Sequence, residues 1–273
     1  METTLRVIDS HLHFDKNQGF DQIAVAAGYE NTEASLHQAF RDNHIVHGVV
    51  MSNKTLNPEE LHYPEYLSYC IGLDRPEFNE ERNMGWVAEM VEANLQRPNC
   101  CGIKLYPGYN QVYVYDDRYA PIYELARKYR KPVAFHTGLM AGSSGLLKYS
   151  HPLTLDDVAV QYPDVQLVMC HFGNPLLPDA IAVMEKNPNI AVDLSGLLEG
   201  RLDDRFYQEK QGYIAMLRDW LLYLGPYNRV LFGTDWPLAN YTDYIAFVKK
   251  IIPERYWQAV FFDNANRIYK LGL

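Results

Sequence analysis

Short apolar segments alternate with longer amphipathic segments along the whole chain. The apolar segments have five to eight residues, which is typical of buried strands, and the segments between them repeat apolar residues at helical spacing. The predicted strands are LRVID (5–9), IVHGVVM (45–51), EYLSYCIG (65–72), CGIKLY (101–106), PVAFH (132–136), VQLVMCH (165–171), NIAVDLS (189–195) and RVLFG (229–233). The predicted helices cover 32–43, 78–96, 116–130, 153–162, 175–187, 205–224 and 241–252.

Strands that alternate with helices form parallel sheets with the helices outside. Eight such strands in 273 residues are typical of a (β/α)8 TIM barrel, regular or distorted, and we expect one domain over 1–273. An open doubly wound sheet is the alternative, but its usual phosphate loops, GxGxxG and GxxxxGK[ST], do not occur in the sequence. The Gly/Ser-rich segment 137–152 is predicted to be a loop near an active site.

Composition and charge exclude several classes of function. The formal net charge is -9 and no block of five basic residues occurs, so nucleic acid and anionic membranes are poor partners. No apolar run reaches ~18 residues, so no membrane span is expected. The N-terminus lacks an apolar segment behind a basic start, which argues against a signal peptide. Four cysteines without a CxxC pair favour reduced thiols and a cytoplasmic protein.

Polar side chains mark the ends of several predicted strands. The set comprises His11 and His13 after strand one, Lys104 in strand four, His136 at the end of strand five, His171 at the end of strand six and Asp235 after strand eight. In a parallel barrel these ends meet at one mouth. Each residue alone has an ordinary explanation, such as a hydrogen-bonded core histidine or a helix cap. Together they predict a metal site, because burying so many ionisable groups is costly unless a metal binds them.

The same segments resemble the amidohydrolase superfamily. The matching segments, in order, are IDSHLHFD, GIKLYPGY, PVAFHTG, VQLVMCHFGNP, IAVDLSG, LFGTDWP and DNANRIYKL. They are most similar to the amidohydrolase-related group that contains aminocarboxymuconate-semialdehyde decarboxylase and pyrone-dicarboxylate lactonase. The resemblance implies that His11, His13, His136 and Asp235 bind a metal. It also implies that His171 binds a second metal or acts on the substrate.

Lys104 bears on the number of metal ions. Its segment GIKLYP resembles the fourth strand of dihydroorotases, in which a carboxylated lysine bridges two metals. The amidohydrolase-related group often has a similar segment with a single metal. In that case Lys104 would orient the substrate as a cation or form a structural ion pair. The sequence leaves one and two metals open, because it does not reveal carboxylation.

The predicted ligands indicate the chemistry of the site. Histidine nitrogens and a carboxylate favour zinc, with manganese, iron or cobalt as alternatives. A divalent ion lowers the pKa of a bound water to about 7, which gives a nucleophile at neutral pH. We expect Asp235 to accept the proton of that water and His171 to help polarise a substrate carbonyl. Tyr106, Arg201 and Trp236 are candidate substrate-binding residues, and an internal ion pair within RLDDR is the alternative for Arg201.

The predicted function is therefore hydrolysis of an amide, lactone or ester-like bond in a small molecule. A metal-dependent decarboxylase that uses the same site is the alternative, and Arg201 or Arg205 would then hold the substrate carboxylate. A catalytically silent metal-binding scaffold would lack a ligand, and no ligand is missing from the sequence. No interface is evident, so assembly as a homo-oligomer stays open.

Overall fold

The computed structural model describes residues 5–14, 18–225 and 227–273. Residues 1–4, which belong to the segment on which the signal-peptide prediction rests, and Asp15 of the first motif lie outside the described residues. All eight predicted strands are present, within two residues of the predicted bounds in most cases. They are β1 (Val7–Leu12), β2 (Ile45–Val50), β3 (Leu67–Leu73), β4 (Cys100–Leu105), β5 (Val133–Phe135), β6 (Leu167–Met169), β7 (Ile190–Asp193) and β8 (Val230–Leu231).

Helices lie between the strands and after the last one. In the described ranges they are α1 (Gln18–Ala26), α2 (Glu33–Asp42), α3 (Met84–Leu95), α4 (Pro107–Asn110), α5 (Ala120–Tyr129), α6 (Leu147–Ser150), α7 (Thr154–Gln161), α8 (Leu177–Lys186), α9 (Asp204–Leu224), α10 (Tyr241–Ile251) and α11 (Asn264–Tyr269). Every predicted helix is present. The sequence pattern did not predict α1, because Ile23 and Val25 are exposed and the segment has no clear apolar stripe.

The strands form one parallel sheet whose order follows the chain from β1 to β8. Its two edges meet through main-chain hydrogen bonds. Ser10 N donates to Phe232 O over 3.0 Å, and His13 N donates to Trp236 O over 2.8 Å. The closed sequential order confirms the TIM barrel, and the open doubly wound alternative is wrong. This junction between the two edges, the barrel seam, runs through residues just beyond β8, because that strand is only two residues long.

The interior of the barrel is apolar and is closed at one end by the C-terminal segment. Phe262, Ile268 and Tyr269 pack in the same cluster as inward-facing strand residues such as Ile8. The Arg6 guanidinium, just before β1, lies over the Phe262 ring, which places this segment at the N-terminal ends of the strands. The C-terminal ends therefore form the other end of the barrel. Among the described helices, none combines the length and the apolarity needed to cross a bilayer.

Candidate metal centre

Five of the predicted site residues converge at the C-terminal ends of the strands. They are His11, His13, His136, His171 and Asp235. The ring centroids of His11 and His171 are 4.7 Å apart, and those of His136 and His171 are 4.6 Å apart. The two histidines of the HxH motif both face Asp235, as the alternation of side chains along a strand predicts.

One group of donor atoms surrounds Asp235. Its Oδ1 is buried, makes no hydrogen bond to any described residue, and lies 3.3 Å from His11 Nε2 and 3.0 Å from His13 Nε2. His11 Nδ1 lies 2.9 Å from Asp193 Oδ2, so we assign its proton to that side and a lone pair to Nε2. Burial lowers the pKa of His11 to about 4 although Asp193 opposes the shift, so the ring is neutral. Two imidazole nitrogens and a carboxylate oxygen thus meet at one point, and this set of donors suits a divalent cation.

A second group of donor atoms joins His136 and His171. His136 Nδ1 lies 3.0 Å from His171 Nε2. The other nitrogen of each ring faces a carbonyl oxygen, which only accepts: His136 Nε2 is 2.9 Å from Leu139 O, and His171 Nδ1 is 3.2 Å from Ser195 O. We therefore assign the protons to those sides and lone pairs to the two facing nitrogens. Burial lowers the pKa of both rings, so a metal ion fits this gap better than an extra proton.

Strained backbone holds the donors in place. His171 and Asp235 both have φ of +61°, a left-handed conformation that costs an ordinary residue roughly 1–2 kcal/mol. Gly196 lies beside both of them. A Cβ at Gly196 would lie 2.8 Å from His171 Nδ1 and 3.1 Å from Asp235 Oδ2. Strain and a close-fitting glycine at one point are typical of a functional site.

Asp193 is a site residue that the sequence analysis missed. Its Oδ2 faces His11, and its Oδ1 accepts hydrogen bonds from His171 N (2.9 Å) and Ser195 N (3.1 Å). Burial alone would raise its pKa, but the neighbouring His11 and His171 lower it, so the carboxylate is ionised. Asp193 thus orients one histidine from each donor group. Its place at the end of NIAVDLS was the available signal, since the other strand-end groups were found in that way.

A second buried carboxylate, Asp9, ties β1 to the segment that carries Asp235. It accepts hydrogen bonds from His11 N (3.1 Å), Thr234 Oγ1 (2.6 Å) and Tyr241 OH (2.8 Å). These bonds fix the main chain at His11 on β1 and next to Asp235 on the other side of the barrel seam. Asp9 therefore supports the geometry of the site from behind.

Lys104 lies fully buried beside both donor groups. Its Nζ is 2.7 Å from Cys170 Sγ, and no carboxylate of the described residues forms an ion pair with it. Burial raises the pKa of Cys170, so the thiol is neutral. Burial lowers the pKa of His136 and His171, and the charge of Lys104 lowers both further. The charge of Lys104 thus affects the pKa of the two histidines, while its amino group contacts the Cys170 thiol.

Two cavities open from the donor groups. One has a volume of about 450 Å³, and its lining includes His13, Trp236, Glu33, Glu60 and His62. The other has a volume of about 480 Å³, and its lining includes His136, His171, Asp235, Tyr109, Leu139, Met140, Ala141, Glu199 and Lys210. Leu139, Met140 and Ala141 belong to the Gly/Ser-rich segment that was predicted to lie near the site. The sequence analysis did not single out the glutamates, His62 or Lys210.

The three candidate substrate-binding residues lie in different surroundings. Trp236 lines the first cavity. Tyr106 is buried and lines neither cavity, because its hydroxyl donates to Met51 O over 2.5 Å. Arg201 also lines neither cavity, and its Nε lies 2.6 Å from Asp243 Oδ2. Its acidic partner is outside RLDDR, so the ion pair exists but differs from the internal pair that was considered.

Comparison with known proteins identifies the family. A family model described as amidohydrolase matches residues 8–271, nearly the whole chain. The chain belongs to the amidohydrolase family. The resemblance seen in the motifs is therefore confirmed. Metal dependence is typical of this enzyme family, and His11, His13 and Asp235 form a group that could hold a metal ion.

Individual relatives share parts of the sequence or the fold. Protein fluG of Emericella nidulans is 30% identical over 162 residues, which cover 52% of this chain but only 18% of that protein. A 2,6-dihydroxybenzoate decarboxylase from Rhizobium has a TM-score of 0.69 at 14% identity, with 98% of this chain and 99% of that chain covered. A probable 2-pyrone-4,6-dicarboxylic acid hydrolase from Acinetobacter baumannii has a TM-score of 0.64 at 17% identity, covering 97% and 99%. At these identities the two structures show a common fold.

Proposed function

We propose that this protein is a metal-dependent hydrolase that cleaves an amide, lactone or ester-like bond in a small molecule. The observation that carries the proposal is the convergence of imidazole and carboxylate donor atoms around Asp235, together with the facing nitrogens of His136 and His171. A divalent ion, when bound, polarises a carbonyl and lowers the pKa of water to about 7. Nitrogen and carboxylate donors favour zinc, with manganese, iron or cobalt as alternatives.

Asp235 is the candidate proton carrier. Its Oδ1 belongs to the first donor group, and its Oδ2 lies 3.9 Å from His171 Nδ1. Burial alone would raise the pKa of Asp235, but His171, His11 and His13 together lower it well below its usual value. The carboxylate is therefore ionised and able to accept a proton from water. Because Asp235 also lines the second cavity, it can return that proton to a leaving group there.

The charges around the cavities favour hydrolysis over decarboxylation. The substrate of a decarboxylase is itself a carboxylate, which a nearby cation would hold. Arg201 and Arg205 instead pair with Asp243 and Glu209, at 2.6 Å and 2.9 Å. Among the described residues that line the two cavities, Lys210 is the only lysine or arginine. A decarboxylase remains the second candidate function, with Lys210 as the group that would hold the carboxylate.

The same geometry supports a proposal for the number of ions. Two separate donor groups favour two ions. A carboxylated Lys104 would add oxygen ligands, but its amino group contacts the Cys170 thiol in this structure. We therefore propose that Lys104 acts as a buried cation and that the histidines and Asp235 hold the metal.

The cellular setting is proposed on simpler grounds. The four cysteines, Cys70, Cys100, Cys101 and Cys170, are all free and buried, which suits a reducing compartment such as the cytoplasm. The net charge of -9 makes nucleic acid a poor partner, so a small molecule is the expected substrate.

One experiment separates the two candidate reactions. The metal-loaded protein is incubated with a panel of small lactones, esters, amides and aromatic carboxylates in water labelled with heavy oxygen. Mass spectrometry follows the label, and a headspace assay follows carbon dioxide. Label in the product, lost in Asp235→Asn, supports the hydrolase. Release of carbon dioxide without label overturns it in favour of the decarboxylase.

A further inference from the structure

A recess lined by cations lies at the end of the barrel opposite the candidate metal centre. Its volume is about 610 Å³. The recess is bordered by the residues just before β5, those just before β6, and the end of α11, so it lies at the N-terminal ends of the strands. Its lining cations are Arg127, Lys128, Arg130, Lys131, Arg267 and Lys270. Asp164 is the only acidic residue among the described residues that line it.

Two of these cations are neutralised by carboxylates. Arg127 Nε lies 2.8 Å from Asp164 Oδ2, and Lys128 Nζ lies 2.5 Å from Glu92 Oε1. The other four have no ion pair with any carboxylate that the structure describes. The recess therefore carries about four uncompensated positive charges in a chain whose net charge is -9.

The four uncompensated cations fall into two kinds. Lys131 Nζ donates to Leu95 O over 2.6 Å, and Arg267 also donates to a main-chain carbonyl, so both keep their full charge. Arg130 and Lys270 have no side-chain hydrogen bond, ion pair or ring contact. Elsewhere in the described chain, Lys210 is the only lysine or arginine of which the same is true. Two of three partner-free cations thus face one recess.

The backbone at Arg130 and Lys270 makes this convergence unusual. These residues are the C-caps of α5 and α11, with φ of +52° and +53°. Glycine is the residue that favours such left-handed caps. The helix dipole explains a preference for cations near each helix end. It does not explain why two strained caps from separate helices point partner-free cations at one recess.

We propose that this recess binds a small polyanion that carries phosphate groups. The guanidinium groups of Arg130 and Arg267 offer forked donors to phosphate oxygens, while Lys131 and Lys270 add compact charges. Four positive charges match the charge of a diphosphate or triphosphate group. The source of the phosphate is a free pyrophosphate or a nucleotide, and both present the same chemistry to the recess.

Titration calorimetry with inorganic pyrophosphate tests this proposal on the full chain. The informative variant is R130Q/K270Q, because both side chains are exposed and partner-free and their loss leaves the fold intact. The matched control is K148Q/K249Q, which removes two positive charges that contact only aromatic rings elsewhere. We expect saturable binding to the wild type and the control within about twofold of each other. Binding to R130Q/K270Q should be at least about tenfold weaker.

Further titrations identify where pyrophosphate binds and whether the recess prefers phosphate groups. Lys210→Gln removes the partner-free cation at the second mouth cavity. Pyrophosphate binding that weakens in this variant but not in R130Q/K270Q would belong to the metal centre and overturn the proposal. ADP that binds as tightly as pyrophosphate, or more tightly, supports phosphate recognition. Citrate that binds equally well at the same ionic strength would overturn the phosphate assignment. Equal affinity in the wild type and R130Q/K270Q, or no saturable heat, would overturn the site itself.

Discussion

The two ends of the barrel carry different chemistry on one scaffold. At the mouth, most of the histidine and aspartate side chains are buried, and several of their donor atoms lie within about 3 Å of each other. At the opposite end, the lysines and arginines are mostly exposed to water. A buried donor group needs a partner, since leaving it unpaired costs several kcal/mol, whereas an exposed cation is already solvated. The clustered donors at the mouth therefore support the proposed metal site directly, whereas the proposal for the cationic recess rests on several cations lining one cavity.

Left-handed backbone occurs at both ends, and its setting differs. His171 and Asp235 at the mouth have positive φ, and neighbours hold both side chains. Arg130 and Lys270 at the other end also have positive φ, but their side chains make no hydrogen bond, ion pair or ring contact with any described residue. At the mouth the strain fixes donors rigidly. At the other end it leaves long side chains free to close on a ligand.

The largest expected effect comes from removing the mouth carboxylate. Asp235→Asn should lower kcat/KM by about 10²–10⁴, because the variant loses both a metal donor and the proton carrier. Asparagine tolerates left-handed backbone well, so the fold should survive. Steady-state kinetics and a thermal melt measure the two effects separately.

Asp164→Asn is the matched control for that variant. It makes the same chemical change at the opposite end, at an exposed carboxylate that pairs with Arg127. We expect kcat/KM to change by less than about twofold. If the Asp164 variant loses as much activity as the Asp235 variant, the two ends do not differ in the way proposed.

The second effect separates the two donor groups within the mouth. Elemental analysis should find about two metal ions per chain in the wild type and about one in the His136→Asn variant. His62→Asn is the control, because His62 lines a mouth cavity but belongs to neither donor group. If the wild type holds one metal ion and His136→Asn still holds it, only the group around Asp235 binds metal.

Much of the mouth was predictable because its groups stand at strand ends. His11, His13, His136, His171 and Asp235 each follow an apolar strand, and parallel strands bring such positions together. Asp193 obeys the same rule and was missed, because it was treated as part of an apolar strand. Its pairing with His11 depends on closure of the barrel, which leaves only β8 between β7 and β1, and no local sequence pattern shows that closure.

The cationic recess was not predictable from the sequence. Arg130 and Lys131 are adjacent in the sequence, as Arg267 and Lys270 nearly are, but about half the chain separates the two pairs. Each residue has the pattern of an ordinary charge at a helix end. Arg201 shows the opposite case. Its place after strand seven predicted a substrate contact, but its guanidinium pairs with Asp243 on α10 and lines neither cavity.

A smaller effect tests Lys104, which lies between the two donor groups. Lys104→Met keeps the volume and removes the charge. Because the amino group contacts the Cys170 thiol and is not proposed as a ligand, the metal content should stay unchanged while activity falls about tenfold. Elemental analysis and kinetics on the same sample measure both. Loss of one ion would show instead that the lysine is carboxylated and binds metal.

The last effect is on stability and concerns His47, a buried histidine outside the mouth. Its Nε2 lies 2.9 Å from Ser68 Oγ, and burial lowers its pKa from 6.5 to about 4. Between these pH values the unfolded chain binds a proton that the folded chain does not. The contribution of His47 to the free energy of unfolding is therefore complete above pH 6.5 and declines as the pH falls toward 4. Its full size is at most about 3 kcal/mol.

His47→Gln isolates this contribution, because glutamine retains a polar group near Ser68 but does not titrate. Urea unfolding at pH 7, 5.5 and 4 should show the stability difference between wild type and variant shrinking as the pH falls. Added zinc should leave that difference unchanged, because His47 lies in neither donor group. The same zinc should reduce the remaining pH dependence of His47→Gln, since bound metal keeps the mouth histidines unprotonated. If added zinc does not change the pH dependence of the stability of His47→Gln, the mouth histidines are ordinary buried imidazoles like His47.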